Sequence, residues 1–395
     1  MEVYGLEKDL EKMFAMNSER MVKMAESQAV IDASDPIRDL SQALHPLGLN
    51  LVITEIRQET ESVRTYRLTT SKRGELLPYF RAGQYLSVKA KIGDHVVSRP
   101  YSISSAPHLA KDFYELTVAS KEGGFVSGQI WDSWKTGSEI NATGPHGNFY
   151  YNPLRDQPDL IALAGGCGIT PFRSMISEMI KTGESRKMIL LYGSRNEKEI
   201  VFKEELEELS RLHPEQLQIV HVLSEPSTQW QGYKGFISSE LLKIVTKAEP
   251  LRYSYFLCGP PEMYTFCFKG LDELGIPQRL IRYEPAATAD YSLFSSEHPQ
   301  VDSHASYTID YRRKATAGKI KALATETILT AFERAGLNPD AQCRSGECGF
   351  CRSLLISGSV YNRKDGDGRR AADLEYGYIH PCSTYPLSDL QLIIN

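Results

Sequence analysis

Residues 343–351 read CRSGECGFC, and a further cysteine, Cys382, follows downstream. Four residues separate Cys343 from Cys348, two separate Cys348 from Cys351, and thirty separate Cys351 from Cys382. That C-x4-C-x2-C…C spacing suits ligation of a [2Fe–2S] cluster through four thiolates. A loop that carries three of them onto one cluster must curl tightly. Gly346 and Gly349 permit the curl, because glycine accepts backbone angles closed to other residues and leaves room for amides to point at sulfur. A zinc ribbon would use two C-x2-C pairs, and this stretch holds only one.

The chain around this loop has 395 residues, too many for one ordinary core, so roughly two to four domains are expected. Apolar residues at 41% and charged residues at 24% are those of a globular protein. A net charge of −5 and a pI near 6.0 give no electrostatic reason to expect nucleic acid or an anionic membrane as partner. The remaining cysteines, Cys167, Cys258 and Cys267, lie in apolar surroundings and do not pair by spacing. That is the usage of a reducing compartment, not a disulfide framework. The first residues carry no charged-then-apolar leader, and no apolar run approaches the ~20 residues that span a bilayer. The expected location is the cytoplasm.

Five segments follow from the changes in rhythm. Residues 1–47 repeat Leu6, Leu10, Met13 and Phe14 at helical spacing. They form a helical extension with a second short helix capped by Ser34 or Asp35. The extension either packs on the body or docks a partner. Residues 48–153 alternate in short strands between Gly, Pro and Asp turns, with one helix near 126–135, which reads as a small antiparallel β-barrel. Residues 154–285 alternate strand and helix, which implies an α/β domain with a parallel sheet. Residues 286–305 have no period and read as a linker. Residues 306–395 hold two strands, a helix ended by Gly336 and the cysteine loop, an α+β domain.

Several motifs supply chemistry. Arg99, Tyr101 and Ser102 end a barrel strand and offer a flavin a cation for its phosphate, an aromatic surface and a hydroxyl near N5. Gly123, Gly124 and Ser127 open the barrel's helix, where free N–H groups and the positive dipole end suit a pyrophosphate. The competing reading is a plain N-cap turn. Gly165-Gly166-Cys167-Gly168-Ile169-Thr170-Pro171 joins the first parallel strand to its helix. Its glycines would let nucleotide phosphates approach, with Thr170 as N-cap and Pro171 at the first helical position. The third glycine of G-x-G-x-x-G is missing, so the ordinary dinucleotide fold is not implied. Cys258-Gly259-Pro260-Pro261 lies at the carboxyl end of a later strand, where ligands of open sheets bind. Cys258 there lines a nicotinamide pocket or is simply buried.

Taken together, RPYSISS, GGFVS, GPHGNF, GGCGITPF and CGPP, in that order, resemble the ferredoxin–NADP⁺ reductase superfamily. The last ninety or so residues resemble a plant-type ferredoxin, and the combination is similar to the reductase components of multicomponent oxygenases. The resemblance implies a multidomain fold: helical extension, flavin β-barrel, nucleotide α/β domain and β-grasp-like [2Fe–2S] domain. It implies an enzyme that takes hydride from a nicotinamide nucleotide onto a flavin and passes single electrons to the cluster and on to a partner protein. Arg99, Tyr101 and Ser102 would hold the flavin. Gly123, Gly124, Val126 and Ser127 would hold a pyrophosphate, favouring FAD over FMN. Gly166, Gly168, Thr170, Pro171, Gly259 and Pro260 would receive the nucleotide. Ser102, Cys258 and Glu284 would flank hydride transfer, and Cys343, Cys348, Cys351 and Cys382 would hold the iron.

The chain departs from the pattern in three places. Tyr283-Glu284-Pro285-Ala286 runs on into the linker where single-domain relatives end in an aromatic, which leaves the shield of that flavin face open, with Tyr291 or Phe294 as candidates. From Ser306 onward, twelve Lys plus Arg against ten Asp plus Glu give +2, unlike acidic free ferredoxins; a tether removes the need for an acidic docking face. Residues 363–370, RKDGDGRR, are a solvated turn or a patch for an acidic partner. Arg195 is placed to meet a 2′-phosphate, but Glu225 would repel one and accept from ribose hydroxyls, which favours NADH over NADPH. The acceptor is an oxygenase or, in the alternative, a corrinoid, haem or other reductase partner in a stable complex. A redox sensor without turnover is the non-enzyme alternative.

Overall fold

The computed structural model describes residues 6–26, 35–44, 46, 48–72, 74–92, 95–120, 124–284, 302, 304–363 and 367–394. The chain divides into two compact units, Met1–Leu44 and His45–Asn395. The first holds α1 (Leu6–Glu26) and α2 (Pro36–Leu44). Asp35 caps α2, its Oδ1 accepting the Ile37 N–H at 3.1 Å, while Pro36 occupies the first helical position, where no N–H is needed.

The second unit begins with β1 (Leu49–Thr60), β2 (Val63–Thr70), β3 (Tyr85–Ile92), β4 (His95–Ser102), β5 (Tyr114–Ala119), α3 (Phe125–Ser133) and β6 (Glu139–His146). Leu49, Leu51 and Ile53 are buried while Asn50 and Thr54 face out, the period of two that a half-buried strand requires. The order is β4-β3-β6-β1-β2-β5, and every pairing is antiparallel. The two ends of that order meet. Ile103 bridges Leu116, and the Ser104 N–H donates to the Glu115 carbonyl at 2.8 Å. The sheet is thereby a barrel, filled by Leu51, Tyr66, Leu86, Val88 and Tyr114.

Next come β7 (Asp159–Gly165), α4 (Thr170–Thr182), β8 (Met188–Ser194), α5 (Lys203–Leu212), β9 (Leu217–Leu223), β10 (Tyr233–Lys234), α6 (Ser239–Val245), β11 (Tyr253–Cys258), α7 (Pro261–Glu273) and β12 (Ile281–Tyr283). The order β10-β9-β8-β7-β11-β12 is parallel throughout. Leu160 and Ala162 of β7 pack into one apolar layer, Ile161 and Leu163 into the other, so both faces are covered. Chain order reverses between β7 and β11, and the crevice at a reversal, at the carboxyl ends of the strands, is where such sheets take ligands.

Thr170 differs from the sequence expectation. A 3₁₀ turn over Gly166–Ile169 runs straight into α4, so Thr170 is already helical at φ −55°, ψ −49° and Ile169 is the cap. An N-cap needs extended backbone; Thr170 Oγ1 instead donates back to the Cys167 carbonyl at 3.1 Å.

The last part contains β13 (Ser306–Arg313), β14 (Thr316–Leu323), α8 (Ile328–Arg334), β15 (Ser353–Ser357), β16 (Val360–Asn362), α9 (Ala371–Glu375), β17 (Tyr378–Ile379), β18 (Thr384–Pro386) and β19 (Leu390–Ile394). The main sheet runs β14-β13-β19-β15-β17, with β13 and β19 parallel. Ile328, Ala331 and Phe332 of α8 pack on Ile309, Leu390 and Leu392, a helix gripped by a mixed sheet, as in a β-grasp. Gly123, most of the expected linker, Tyr291, Phe294 and residues 364–366 of the basic turn lie outside the described residues. Among the described residues no helix is long and apolar enough to cross a membrane.

Candidate electron-transfer site

The cysteine loop curls through two left-handed glycines, Gly346 (φ +93°) and Gly349 (φ +69°). Cys343, Cys351 and Cys382 are buried, whereas Cys348 is exposed. The thiols meet in pairs, Cys343 with Cys348 and Cys382, and Cys351 with Cys382. Among the described residues no three His, Cys, Asp or Glu side chains close on a single-ion geometry. The Ser345 and Cys348 N–H groups both donate to Cys343 Sγ at 3.4 Å, and the Phe350 N–H donates to Cys348 Sγ at 3.4 Å. Amides aimed at sulfur favour thiolates, and an all-thiol set so arranged fits a [2Fe–2S] cluster. Two further groups fasten the loop, and neither stands out in the sequence. Arg344 grips Glu333 of α8 through both guanidinium nitrogens, at 2.5 and 3.0 Å, and His380 Nδ1 meets the Gly346 carbonyl at 2.5 Å.

The three residues expected around hydride transfer converge from three strand ends. Ser102 closes β4, Cys258 closes β11, and Glu284 follows β12. Ser102 Oγ donates to Glu284 Oε2 at 3.2 Å, and Cys258 Sγ stands 3.8 Å from the same oxygen. Burial pushes the Glu284 carboxyl up to about 7, against the hydrogen bond from Ser102. Burial and then the neighbouring Glu284 push the Cys258 thiol up as well. Tyr264 orients the group: its hydroxyl donates to the Glu284 carbonyl at 2.6 Å and accepts the Gly259 N–H at 3.2 Å. Ser102, Cys258 and Glu284 line a cavity of 170 Å³, and Tyr85, Cys343 and Glu347 line it too. Tyr85 thus shares one cavity with Ser102, Cys258, Glu284 and Cys343, a placement no local motif announces.

Tyr101 packs against the barrel core. Arg99 bonds the Ser98 carbonyl at 2.8 Å and lies 3.6 Å from Glu333. Burial, and then the charge of Arg344, lower Arg99 to about 10, with Glu333 opposing. Gly124 caps α3 with extended backbone and no side-chain cap, leaving the first amides open; Val126 is buried and Ser127 lies in the first turn. A half-buried cation, open helix amides and a serine aimed at a buried carboxyl are a donor set that fits a flavin nucleotide.

At the carboxyl ends of β7, β8 and β9 lies a 310 Å³ cavity lined by Gly166, Arg195, Glu199, Phe236, Pro260 and Phe266 among others. Gly166 (φ +50°) fronts open space. Gly168 does not reach the cavity: a Cβ there would sit 2.1 Å from the Cys258 carbonyl, so this glycine allows two loops to touch. Thr170 and Pro171 are buried and also lie off the lining. Glu225 bonds the Arg195 carbonyl through its N–H at 2.7 Å, while its side chain is not part of the lining. Arg195 is 63% exposed and lies 4.0 Å from Glu199. The stacked rings of Phe236 and Phe266, 5.5 Å apart and 2° from parallel, were not legible from sequence spacing.

Three domain families match the chain in order. They are an oxidoreductase FAD-binding domain over residues 50–151, an oxidoreductase NAD-binding domain over 162–269, and a 2Fe-2S iron-sulfur cluster binding domain over 316–387. The chain is 30% identical over 360 residues to the glycine betaine monooxygenase reductase subunit of Pseudomonas aeruginosa, covering 87% of this chain and 94% of that one. It is 28% identical over 356 residues to the 3-ketosteroid-9-alpha-monooxygenase ferredoxin reductase component of Mycolicibacterium smegmatis, covering 87% and 97%. Among solved structures, phthalate dioxygenase reductase shares the fold with a TM-score of 0.63 at 22% identity, over 92% of this chain and 100% of that one. The chain belongs to the ferredoxin–NADP⁺ reductase superfamily, among the flavoprotein reductases that carry a [2Fe–2S] domain. It is an NAD(P)H-dependent oxidoreductase that uses FAD and a [2Fe–2S] cluster for electron transfer.

Proposed function

We propose that this chain is the reductase component of an oxygenase system, using NADH and acting in the cytoplasm. The observation that carries the reading is the 170 Å³ cavity shared by Ser102, Cys258, Glu284 and Cys343, which sets the hydride site beside a cluster ligand. FAD, when bound, supplies the acceptance of a hydride and the release of its two electrons singly. Arg99, Tyr101, Gly123, Gly124, Val126 and Ser127 bind it. Ser102 and Glu284 hold and move a proton at the reacting edge, and Cys258 shapes the nicotinamide side. Gly166, Gly259 and Pro260 admit the nucleotide, and Gly168, Thr170 and Pro171 support that loop. Cys343, Cys348, Cys351 and Cys382 ligate the iron.

NADH is preferred because the cavity's cation, Arg195, is countered by Glu199 and Glu262 on the same lining, with Glu225 following Ser224 at its edge. A 2′-phosphate would meet excess negative charge there. The working domains are 1–47, 48–153, 154–285, a tether over 286–305, and 306–395. An oxygenase as acceptor follows from the relatives, which are named as monooxygenase reductase components.

Anaerobic titration tests the reading. NADH is expected to bleach the flavin and then the cluster bands, with NADPH much slower. Protein loaded with FAD and iron that neither nucleotide bleaches would end it. A chain lacking residues 1–47 tests the helical extension: docking predicts that cytochrome c reduction survives and turnover with the oxygenase is lost.

A further inference from the structure

Arg99, Glu333 and Arg344 come from two domains and meet in one buried cluster. Arg344 is 2% exposed at its side chain, Glu333 8% and Arg99 19%. Arg344 takes both carboxylate oxygens of Glu333, at 2.5 and 3.0 Å. That leaves Arg99 with a looser contact of 3.6 Å to an oxygen already engaged. Two guanidiniums thus share one carboxylate. Arg344 Nε is also buried and, among the described residues, finds no hydrogen-bond partner. Arg344 itself sits at φ +58°, a region that L side chains rarely adopt and that persists only where the surroundings over-determine it. A buried cluster with one surplus positive charge is costly unless an anion completes it.

We propose that Glu333 and Arg344 of the cluster domain belong to the FAD site, where with Arg99 they form a two-domain seat for a phosphate of the dinucleotide. This rests on the reading of Arg99 as a phosphate ligand. Its consequence is linkage: FAD bridges barrel and cluster domain, so FAD binding and the seating of the cluster domain strengthen one another.

The test uses the holoprotein. FAD release on dilution, followed by fluorescence, gives the affinity, and riboflavin, which has no phosphate, is the competing probe. Arg99→Gln tests the underlying reading and is expected to weaken FAD by about ten-fold or more, the worth of one charge-assisted contact. Arg344→Gln is expected to weaken FAD about five- to ten-fold on the same basis. Glu333→Gln removes the opposing charge and is expected to hold FAD at least as tightly as the unaltered chain. Riboflavin affinity stays unchanged in all three. An Arg99→Gln protein with unaltered FAD affinity ends the phosphate-ligand reading. If Arg99→Gln weakens FAD but Arg344→Gln leaves it within about two-fold, the phosphate-ligand reading stands and the two-domain seat falls. If Arg344→Gln and Glu333→Gln weaken FAD and riboflavin alike, their role is structural and the seat also falls. A cluster that responds to inorganic phosphate in FAD-loaded protein, through a melting shift lost in Arg344→Gln, holds a separate anion and overturns the proposal too. Should Arg344→Gln lose its iron, Arg344→Lys, which keeps the charge, is expected to keep FAD affinity within about three-fold, and Glu333→Gln then carries the sign of the effect.

Discussion

Where the barrel meets the nucleotide-binding sheet, Glu115 of β5 lies 2% exposed between Arg57, Arg67 and Arg173, at 2.9, 2.9 and 2.7 Å. Arg173 belongs to α4 and reaches on to Glu205 of α5 and to the Ser104 carbonyl. The apolar core crosses the same boundary, with Phe149 stacked edge-on against Phe172 and Phe256 at 5.8 and 5.4 Å. Where the barrel meets the cluster domain, the contacts are thinner. The Val96 N–H donates to Asn338 Oδ1 at 3.2 Å, Ser98 Oγ to the Ala341 carbonyl at 2.7 Å, and Ser87 Oγ to the Gln342 carbonyl at 3.5 Å. Apart from these stands the Arg99–Glu333–Arg344 cluster. Among the described residues no barrel side chain joins the apolar clusters of the cluster domain. Barrel and nucleotide sheet therefore form one platform, while the cluster domain is held by polar groups that can be altered singly.

The first way to break that contrast is Glu115→Ala. It leaves Arg173 buried beside Arg57 and Arg67 without the shared carboxylate, and the expected cost is about 3–5 kcal/mol. Urea unfolding should show barrel and nucleotide sheet lost in one transition. Acid probes the same node. Burial alone would raise the Glu115 carboxyl, but the hydrogen bond from Arg57 and the charge of Arg173 outweigh it and hold the group at about 2, from an ordinary 4.5. A depressed folded value means that the stabilisation is full above 4.5 and is lost as pH falls toward 2. Roughly 3 kcal/mol should disappear across that window in the unaltered chain, and far less in Glu115→Gln.

A third test sharpens what the platform is for. Glu284→Gln keeps shape but not the proton, and flavin reduction by NADH should slow by about 10²-fold. The unaltered chain should show a pH inflection near 7 that the variant lacks. Because the folded value is raised, the group's contribution to stability is full below 4.5 and is lost as pH rises through 7, so the variant should be flatter over that range. The smallest effect is expected at the thin seam. Ser98→Ala and Asn338→Ala should each cost no more than about 1 kcal/mol. Stopped-flow traces should show flavin reduction unchanged and cluster reduction slowed; an equal slowing of both would erase the distinction between the seams.

What the sequence revealed follows the reach of each interaction. The cysteine loop, the strand alternation and the Asp35 cap are set by neighbours within a few residues, and all were legible. Thr170 was misread as a cap because a 3₁₀ turn and an N-cap turn put the same residue types before a helix. Gly168 had the right type for an unforeseen reason, room for the Cys258 carbonyl, which lies in a distant loop. Tyr85, Tyr264, His380 and the Glu333–Arg344 pair carry no local pattern. Their partners lie far along the chain, as with Tyr264 and the Glu284 carbonyl, twenty residues apart, or Arg344 and Glu333, eleven apart on different elements. Ser102 and Cys258 were singled out by their places at strand ends, whereas Glu284 came only with the whole-chain resemblance; the bonds that join the three lie between distant strands.

Strand β4 has a further consequence. Val96 and Ser98 carry bonds to the cluster domain, and Ser102, at the end of the same strand, bonds Glu284. From Val96 to Ser102 the strand rises about 20 Å at ~3.3 Å per residue. β4 therefore works as a gauge block. The spacing between dock and reacting edge is cut into one stiff piece of backbone, independent of the segment that ties residue 284 to residue 306. Lengthening that tie should leave the internal gap unchanged, whereas one residue inserted into β4 would move both marks off scale together.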